Sequence, residues 1–234
     1  VNQLFTTAIK GILRKINYLY KYNFIVKPKM GKVVRQKLAG FTITVRPTVF
    51  NPADFISSKV FISYIKTLDL SGKHILDMGS GSGIVSIIAA SRGAECIAAD
   101  INPVAVRCIT ENALQNNFSG KITAIESDLF ESLRNTYPAK YDIIFFNPPY
   151  YKGNPNNNFE RAFKGGPNLE VIDRFLEDSK NFLVHSGRLC LLVSSDMDLD
   201  DLYNRIRSAG YDYMILQTNK KTFETFYIID AVIR

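Results

Sequence analysis

Apolar residues recur at Leu4, Phe5, Ala8, Ile9, Ile12, Leu13, Ile16, Leu19 and Tyr20, a spacing that predicts an amphipathic helix over residues 4–22. Such a face is normally buried against its own protein, while its basic flanks also suit a membrane surface or a partner. Lys27-Pro28-Lys29-Met30-Gly31 breaks the period and marks a linker. Alternation over residues 41–45 predicts a short strand. Asn51-Pro52-Ala53-Asp54 then predicts the capped start of a helix over residues 55–68.

From Lys73 the pattern becomes regular. Strands are expected over residues 74–78, 95–99, 121–126, 141–146 and 188–193, with helices over 84–91, 103–116, 169–184 and 198–209. Residues 151–167, rich in Asn and Gly, read as a long loop. Two closing strands, 211–218 and 225–233, have no helix between them, so one of the pair inserts antiparallel. Strand–helix alternation with apolar strands predicts an α/β fold, a mostly parallel sheet covered on both faces.

Composition and charge refine this picture. Hydrophobic residues make up 46% of the 234, as in a packed globular protein. The longest apolar runs are strand-sized, far short of the roughly 18 to 20 residues that span a bilayer. The N-terminal apolar residues are interleaved with Lys10, Arg14 and Lys15 and form no secretory core, so a cytoplasmic protein is expected. Cys96, Cys108 and Cys190 are widely spaced in apolar segments, which predicts buried thiols and no metal site. Residues 1–53 carry ten basic residues and no acidic one, leaving 19 basic and 22 acidic residues for the rest. The net charge of +7 therefore resides in this first segment, and contact with an anionic surface such as RNA or a membrane is expected there.

In sheets of this class ligands bind beyond the carboxyl ends of the strands. The polar punctuation falls there: residues 77–83, Asp100, Asp128 and Asn147. Asp77-Met78-Gly79-Ser80-Gly81-Ser82-Gly83 joins a strand to a helix, and its glycines allow a tight turn with close ligand approach. Position 84 is Ile where the dinucleotide fingerprint places its third glycine, which disfavours a pyrophosphate loop. Asp100 can accept both ribose hydroxyls, or serve as the acid at a helix N-terminus. Asp128 can accept an adenine amine, or cap a turn. The loop lacks Lys and Arg, so a nucleoside cofactor without phosphates is favoured, a description that fits S-adenosylmethionine.

Asn147-Pro148-Pro149-Tyr150, at the end of the fourth of these strands, is the most specific feature. A planar amide or aromatic amine nitrogen is a poor nucleophile because its lone pair is delocalised. The Asn147 side-chain oxygen and the Pro148 carbonyl can hold both N–H hydrogens and absorb developing positive charge. Pro149 stiffens the backbone, and Tyr150 offers a face for a planar group to stack. The candidate catalytic residues are thus Asn147, Pro148, Pro149 and Tyr150.

The region from about Thr48 to the C-terminus resembles HemK-type methyltransferases, above all the compact branch that methylates the glutamine amide of translation release factors. The resemblance is carried by residues 77–83, 99–103, 146–150 and especially Ala162-Phe163-Lys164-Gly165-Gly166-Pro167-Asn168-Leu169-Glu170-Val171-Ile172-Asp173-Arg174-Phe175. It implies a Rossmann-like seven-stranded methyltransferase sheet over residues 41–234, whereas the basic helical extension expected over residues 1–40 is a departure from the compact branch. It also implies cofactor contacts at Asp77, Gly79, Ser80, Gly81, Gly83, Asp100, Ile101, Asp128, Leu129 and Asn147, and a small activator subunit on the sheet edge at residues 121–126. Asn51-Pro52-Ala53-Asp54-Phe55-Ile56-Ser57 is one residue shorter than the family's Pro-x-x-Asp-Thr-like segment and lacks its Thr. Three acceptors stay open: a protein glutamine, an RNA or DNA amino group (adenine N6 or guanine N2), and a small molecule met at a membrane.

Overall fold

The structure, a computed structural model, describes residues 31–136, 140–222 and 224–234. The helix expected over residues 4–22 lies outside them. Nine strands are present among the described residues: β1 (Val34–Leu38), β2 (Phe41–Val45), β3 (His74–Met78), β4 (Glu95–Asp100), β5 (Ile122–Glu126), β6 (Tyr141–Phe146), β7 (Leu183–Ser194), β8 (Tyr211–Lys220) and β9 (Thr225–Ile233). The helices are α1 (Ile56–Ile65), α2 (Ile84–Ser91), α3 (Pro103–Gln115), the short α4 (Leu133–Thr136) and α5 (Asn158–Arg161), α6 (Glu170–Ser179) and α7 (Leu199–Ser208).

Seven strands form one sheet in the order β5-β4-β3-β6-β7-β9-β8. β9 runs antiparallel to both of its neighbours, as the missing helix between the last strands predicts. The central strands are apolar on both faces because helices cover both. Adjacent Phe145 and Phe146 show this directly. Phe145 meets Phe61 of α1 edge-on at 5.6 Å, and Phe146 meets Phe175 of α6 on the other face at 4.3 Å. Strand order reverses between β3 and β6, so their carboxyl ends diverge and open a crevice.

Two elements differ from the periodicity. The helix expected over residues 169–184 ends at Ser179, and β7 begins at Leu183. Phe182 and Leu183 continue the apolar spacing but fill the core from a 3₁₀ turn and a strand. β1 was not signalled by the sequence, because its alternation Val34-Arg35-Gln36-Lys37-Leu38 is half basic. It pairs with β2 as a hairpin outside the main sheet.

The hairpin is fastened to α3 by side chains acting as a neighbouring strand would. Asn116 accepts from Thr42 N at 3.1 Å and donates to Thr42 O at 2.8 Å. Asn112 accepts from Thr44 N and donates to Thr44 O, both at 2.8 Å. Arg46 grips Glu111 through two nitrogens at 3.0 and 2.8 Å, and Asn102 donates to Thr48 O at 3.1 Å. The chain from Thr42 to Thr48 is thereby laid along α3 and delivered to the crevice.

Candidate active site

A cavity of about 310 Å³ opens at the carboxyl ends of β3, β4 and β6. Its lining includes Asp77, Asp100, Asp128 and Asn147, so the four polar strand ends of the sequence meet in one place. Gly79, Ser80, Gly81, Ile101 and Leu129 also line it. Gly83, Pro148 and Tyr150 do not.

The glycine loop needs its glycines for two separate reasons. Gly79 and Gly81 hold φ of 64° and 58°, left-handed values open to glycine without strain. Gly83 lies against α3, where an added Cβ would stand 3.2 Å from the Ile109 backbone. It serves helix packing rather than the cavity. Asn112 of the same helix donates to Ser82 O at 2.8 Å, joining this loop to the hairpin through one fully buried amide.

Asp77 is buried, and one carboxylate oxygen accepts from Ser80 Oγ at 2.6 Å, Ser86 Oγ at 2.7 Å and Ser86 N at 3.1 Å. Burial nevertheless raises its pKa to about 6, with the three bonds pulling the other way. Asp100 accepts from Gly81 N at 2.8 Å and Asn102 N at 2.9 Å, one bond to each oxygen. Each oxygen keeps a further lone pair for a ligand. Burial raises the Asp100 pKa despite these bonds. Across the cavity Arg174 donates to Asp128 at 3.3 Å and to Glu131 at 3.1 Å, so Asp128 is both a turn acid and half of an ion pair. Leu129 is held at φ 50°, with its carbonyl taken by Ser127 Oγ at 2.7 Å.

The Asn147 side-chain oxygen is buried and has no hydrogen-bond partner. A carbonyl oxygen left dry and unpaired is unfavourable, so a donor arriving from the cavity gains what the fold leaves unmade. Pro149 lines the cavity beside it. Tyr150 turns away and lies half-buried with its ring 4.9 Å from that of Tyr151. Burial, reinforced by nearby Glu224, holds its phenol well above its usual pKa, while a bond with Ser194 acts the other way. Ser194 also bonds Glu224, and Tyr151 donates to Asp196 at 3.2 Å. Two tyrosines and two carboxylates thus gather beside the motif, outside the cofactor cavity.

The segment expected as a loop over residues 151–167 is an ordered strap. Tyr151 N donates to Phe163 O at 2.9 Å, Gly165 N to Tyr151 O at 3.0 Å, and Gly153 N to Gly166 O at 3.0 Å. Facing it, the chain after Thr48 supplies a wall that includes Thr48, Val49, Phe50 and Pro52; of these only Pro52 belongs to the 51–57 segment that the sequence singled out. Phe163 of the strap meets Phe50 at 5.6 Å and Phe55 at 5.8 Å, and Phe50 stacks on Phe55 at 4.2 Å. Thr48 has φ 73°, an outlier for a β-branched residue. Strain of this kind persists where the surroundings over-determine it, and both its carbonyl and hydroxyl accept from Asn102. Dense aromatics around residues 50–55 were the available signal for this wall, but they read equally well as core.

Among the described residues no cluster of His, Cys, Asp and Glu could hold a metal ion, and no helix is long and apolar enough to cross a membrane. Cys96, Cys108 and Cys190 are buried free thiols.

The sequence matches the family described as Methyltransferase small domain over residues 40–220. A putative protein N5-glutamine methyltransferase of Methanocaldococcus jannaschii is 33% identical over 202 residues, 83% of this chain and 97% of that protein. A tRNA1(Val) (adenine(37)-N6)-methyltransferase of Shewanella loihica is 33% identical over 126 residues, covering 52% of each. The E. cuniculi Mtq2–Trm112 complex, responsible for the methylation of the eRF1 translation termination factor, superposes with a TM-score of 0.61 at 24% identity. That superposition covers 80% of this chain and 99% of the other.

Proposed function

Because the chain belongs to the Methyltransferase small domain family, as a HemK-type enzyme that uses S-adenosylmethionine, we propose that it methylates the side-chain amide nitrogen of a glutamine in a protein. The unpartnered, buried oxygen of Asn147 in the cavity wall carries this reading. It is an acceptor waiting for an N–H donor.

The residues present fit the cofactor. Gly79 and Gly81 put bare backbone on the loop side of the cavity, and the half-buried Asp100 retains lone pairs for two ribose hydroxyls. Asp128, already oriented by Arg174, would take the adenine amine, and Ile101 and Leu129 of the cavity lining would hold the ring. When bound, S-adenosylmethionine supplies an electrophilic methyl group on a sulfonium whose departure leaves a neutral thioether. Asn147 Oδ1 and the Pro148 carbonyl each accept one amide N–H of the substrate. That aims the nitrogen lone pair and stabilises its charge as the new bond forms, after which the nitrogen releases one proton to solvent to give the neutral N-methyl amide. Neither oxygen needs to reorganise, because the strap and Pro149 hold the motif rigid.

Beside Tyr150, the side chains of Tyr151, Asp196 and Glu224 make a polar and aromatic surface that suits a peptide segment at the acceptor entrance. Tyr150 and Tyr151 provide its apolar faces. A small activator subunit would add to the outer edge of β5, which among the described residues pairs with β4 alone. A second reading, an RNA amino-methyltransferase, is favoured by the ten basic residues in positions 1–53. Incubation with labelled S-adenosylmethionine, a release factor carrying its Gly-Gly-Gln loop, and total RNA separates the two. Label on the loop glutamine, mapped by peptide mass spectrometry, is the expected result. Label confined to RNA, or to no macromolecule, defeats the glutamine assignment.

A further inference from the structure

The turn that follows β5 is fixed in its backbone but not in its acidic side chain. Buried Ser127 donates to Leu129 O at 2.7 Å and accepts from Ser132 N at 3.0 Å, while Glu131 N donates to Asp128 O at 3.1 Å. None of these bonds touches the Asp128 carboxylate. Its side-chain partner among the described residues is Arg174 of α6. Arg174 donates from Nη1 to Asp128 Oδ2 at 3.3 Å and from Nη2 to Glu131 Oε1 at 3.1 Å. One guanidinium thereby bridges two carboxylates of like charge, and it leaves Asp128 Oδ1 for another donor.

α6 presents this arginine from a fixed position. At its start Val171 N donates to Gly165 O at 3.1 Å. Phe175, buried and next to Arg174, packs 4.3 Å from the Phe146 ring and 5.7 Å from the Phe130 ring. Phe146 directly precedes Asn147, and Phe130 directly follows Leu129. The helix is therefore wedged between the strand end that carries the Asn-Pro-Pro-Tyr motif and the turn that carries Asp128. Val171 and Arg174, one helical turn apart, both line the cavity. The Arg174–Asp128 pair is half-exposed, so it contributes little to stability. Its effect is on geometry. Without Arg174 the Asp128 carboxylate is free to rotate about its own side-chain bonds, because the turn places no bond on it.

We infer that Arg174 is a positioning residue for the purine ring of the cofactor: it pins the Asp128 carboxylate and so makes the cavity select a 6-amino purine over a 6-keto one. A held acceptor rewards an amine and repels a keto oxygen in the same place. A carboxylate released from Arg174 turns from that oxygen toward the N1–H that a 6-keto purine carries, and the preference shrinks. This role rests on the placement of adenine at Asp128 proposed above, whatever the methyl acceptor.

The test is calorimetric binding of S-adenosylhomocysteine and S-inosylhomocysteine, its 6-keto analogue, to the full chain as parent, R174M, R174K and D128N. The parent is expected to prefer the adenosyl ligand by about tenfold to a hundredfold. D128N should lose most of that preference, because a carboxamide can turn its own N–H toward the keto oxygen. R174M should lower the ratio of the two dissociation constants by about fivefold or more, with an unfolding midpoint within about 2 °C of the parent. R174K keeps the charge but cannot bridge both carboxylates, and its ratio should fall between those of R174M and the parent. A merely structural Arg174 would weaken both ligands alike. An R174M ratio equal to that of the parent, beside a lowered D128N ratio, therefore overturns the inference while leaving adenine at Asp128. A D128N ratio equal to that of the parent refutes that placement of adenine, and the role of Arg174 with it.

Discussion

Gly165 sits so close to Pro149 that a Cβ on it would lie 2.5 Å from the Pro149 carbonyl oxygen. The strap therefore closes on the Asn-Pro-Pro-Tyr turn through bare backbone, with Gly165 N donating to Tyr151 O at 3.0 Å on the same stretch. The glycine belongs to the motif's support rather than to a flexible loop.

Gly165→Ala should displace the Pro149 carbonyl and with it the two acceptor oxygens. Misplacement of a positioned group by about 1 Å typically lowers turnover on the order of a hundredfold. We expect kcat to fall by at least about tenfold while thermal unfolding shifts by only a few degrees. An unchanged kcat would show that the strap does not hold the motif.

Asn147→Ala removes one of the two proposed acceptors of the substrate N–H groups. Loss of a single preorganised group at a developing charge lowers kcat by about 10²- to 10³-fold. S-adenosylmethionine affinity, measured by calorimetry, should stay within about threefold, because the role proposed for this oxygen is to hold the acceptor nitrogen and any cofactor contact of Asn147 is minor beside those of Asp100 and Asp128. Retained turnover would move the acceptor site elsewhere.

Asp100→Ala has the opposite signature. It removes the proposed ribose acceptor and the partner of Gly81 N and Asn102 N. Hydrogen bonds to a charged group contribute about 1.5 to 3 kcal/mol, so the cofactor Kd should rise roughly tenfold to a hundredfold. Turnover at saturating cofactor should change far less. Equal losses in both quantities would contradict a binding role.

The buried Asp77 makes stability depend on pH. Its pKa is raised from 3.8 to about 6 in the folded protein, burial being the main cause. The folded state thus holds the proton more tightly than the unfolded chain. Its contribution is fully present below pH 3.8 and is lost as pH rises through about 6. A shift of this size corresponds to on the order of 2 to 3 kcal/mol. Unfolding midpoints of the parent and Asp77→Asn, compared in urea between pH 4 and pH 7 (roughly the window of this titration), should diverge in that direction. Parallel profiles would show that Asp77 does not titrate there.

Asn112→Ala should destabilise the protein by about 2 to 4 kcal/mol, because Thr44 N, Thr44 O and Ser82 O lose a shared buried partner. It should also weaken cofactor binding, since Ser82 belongs to the glycine loop. A normal cofactor Kd in a destabilised variant would confine Asn112 to folding alone.

Local chemistry made much of this molecule legible before any coordinates. Apolar strands alternating with helices dictated the sheet, and the absent helix after β8 required one of the last two strands to run antiparallel, which the structure shows to be β9. Asp77, Asp100, Asp128 and Asn147 were readable as a group because parallel strands bring their carboxyl ends to one side, so sequence order alone places them together. Tertiary structure decided what periodicity does not encode. Thr48 to Pro52 became a cavity wall because Asn112, Glu111 and Asn102 hold the preceding chain along α3, contacts between residues more than fifty positions apart. The loop over residues 151–167 became a strap because Gly165 and Phe163 found Pro149 and Phe50. Tyr150 turned from the cavity toward Ser194 because that is where its buried hydroxyl has a partner. Each outcome depends on which distant group satisfies a buried polar atom or fills a gap, and a linear pattern of apolar and polar residues carries no record of that choice.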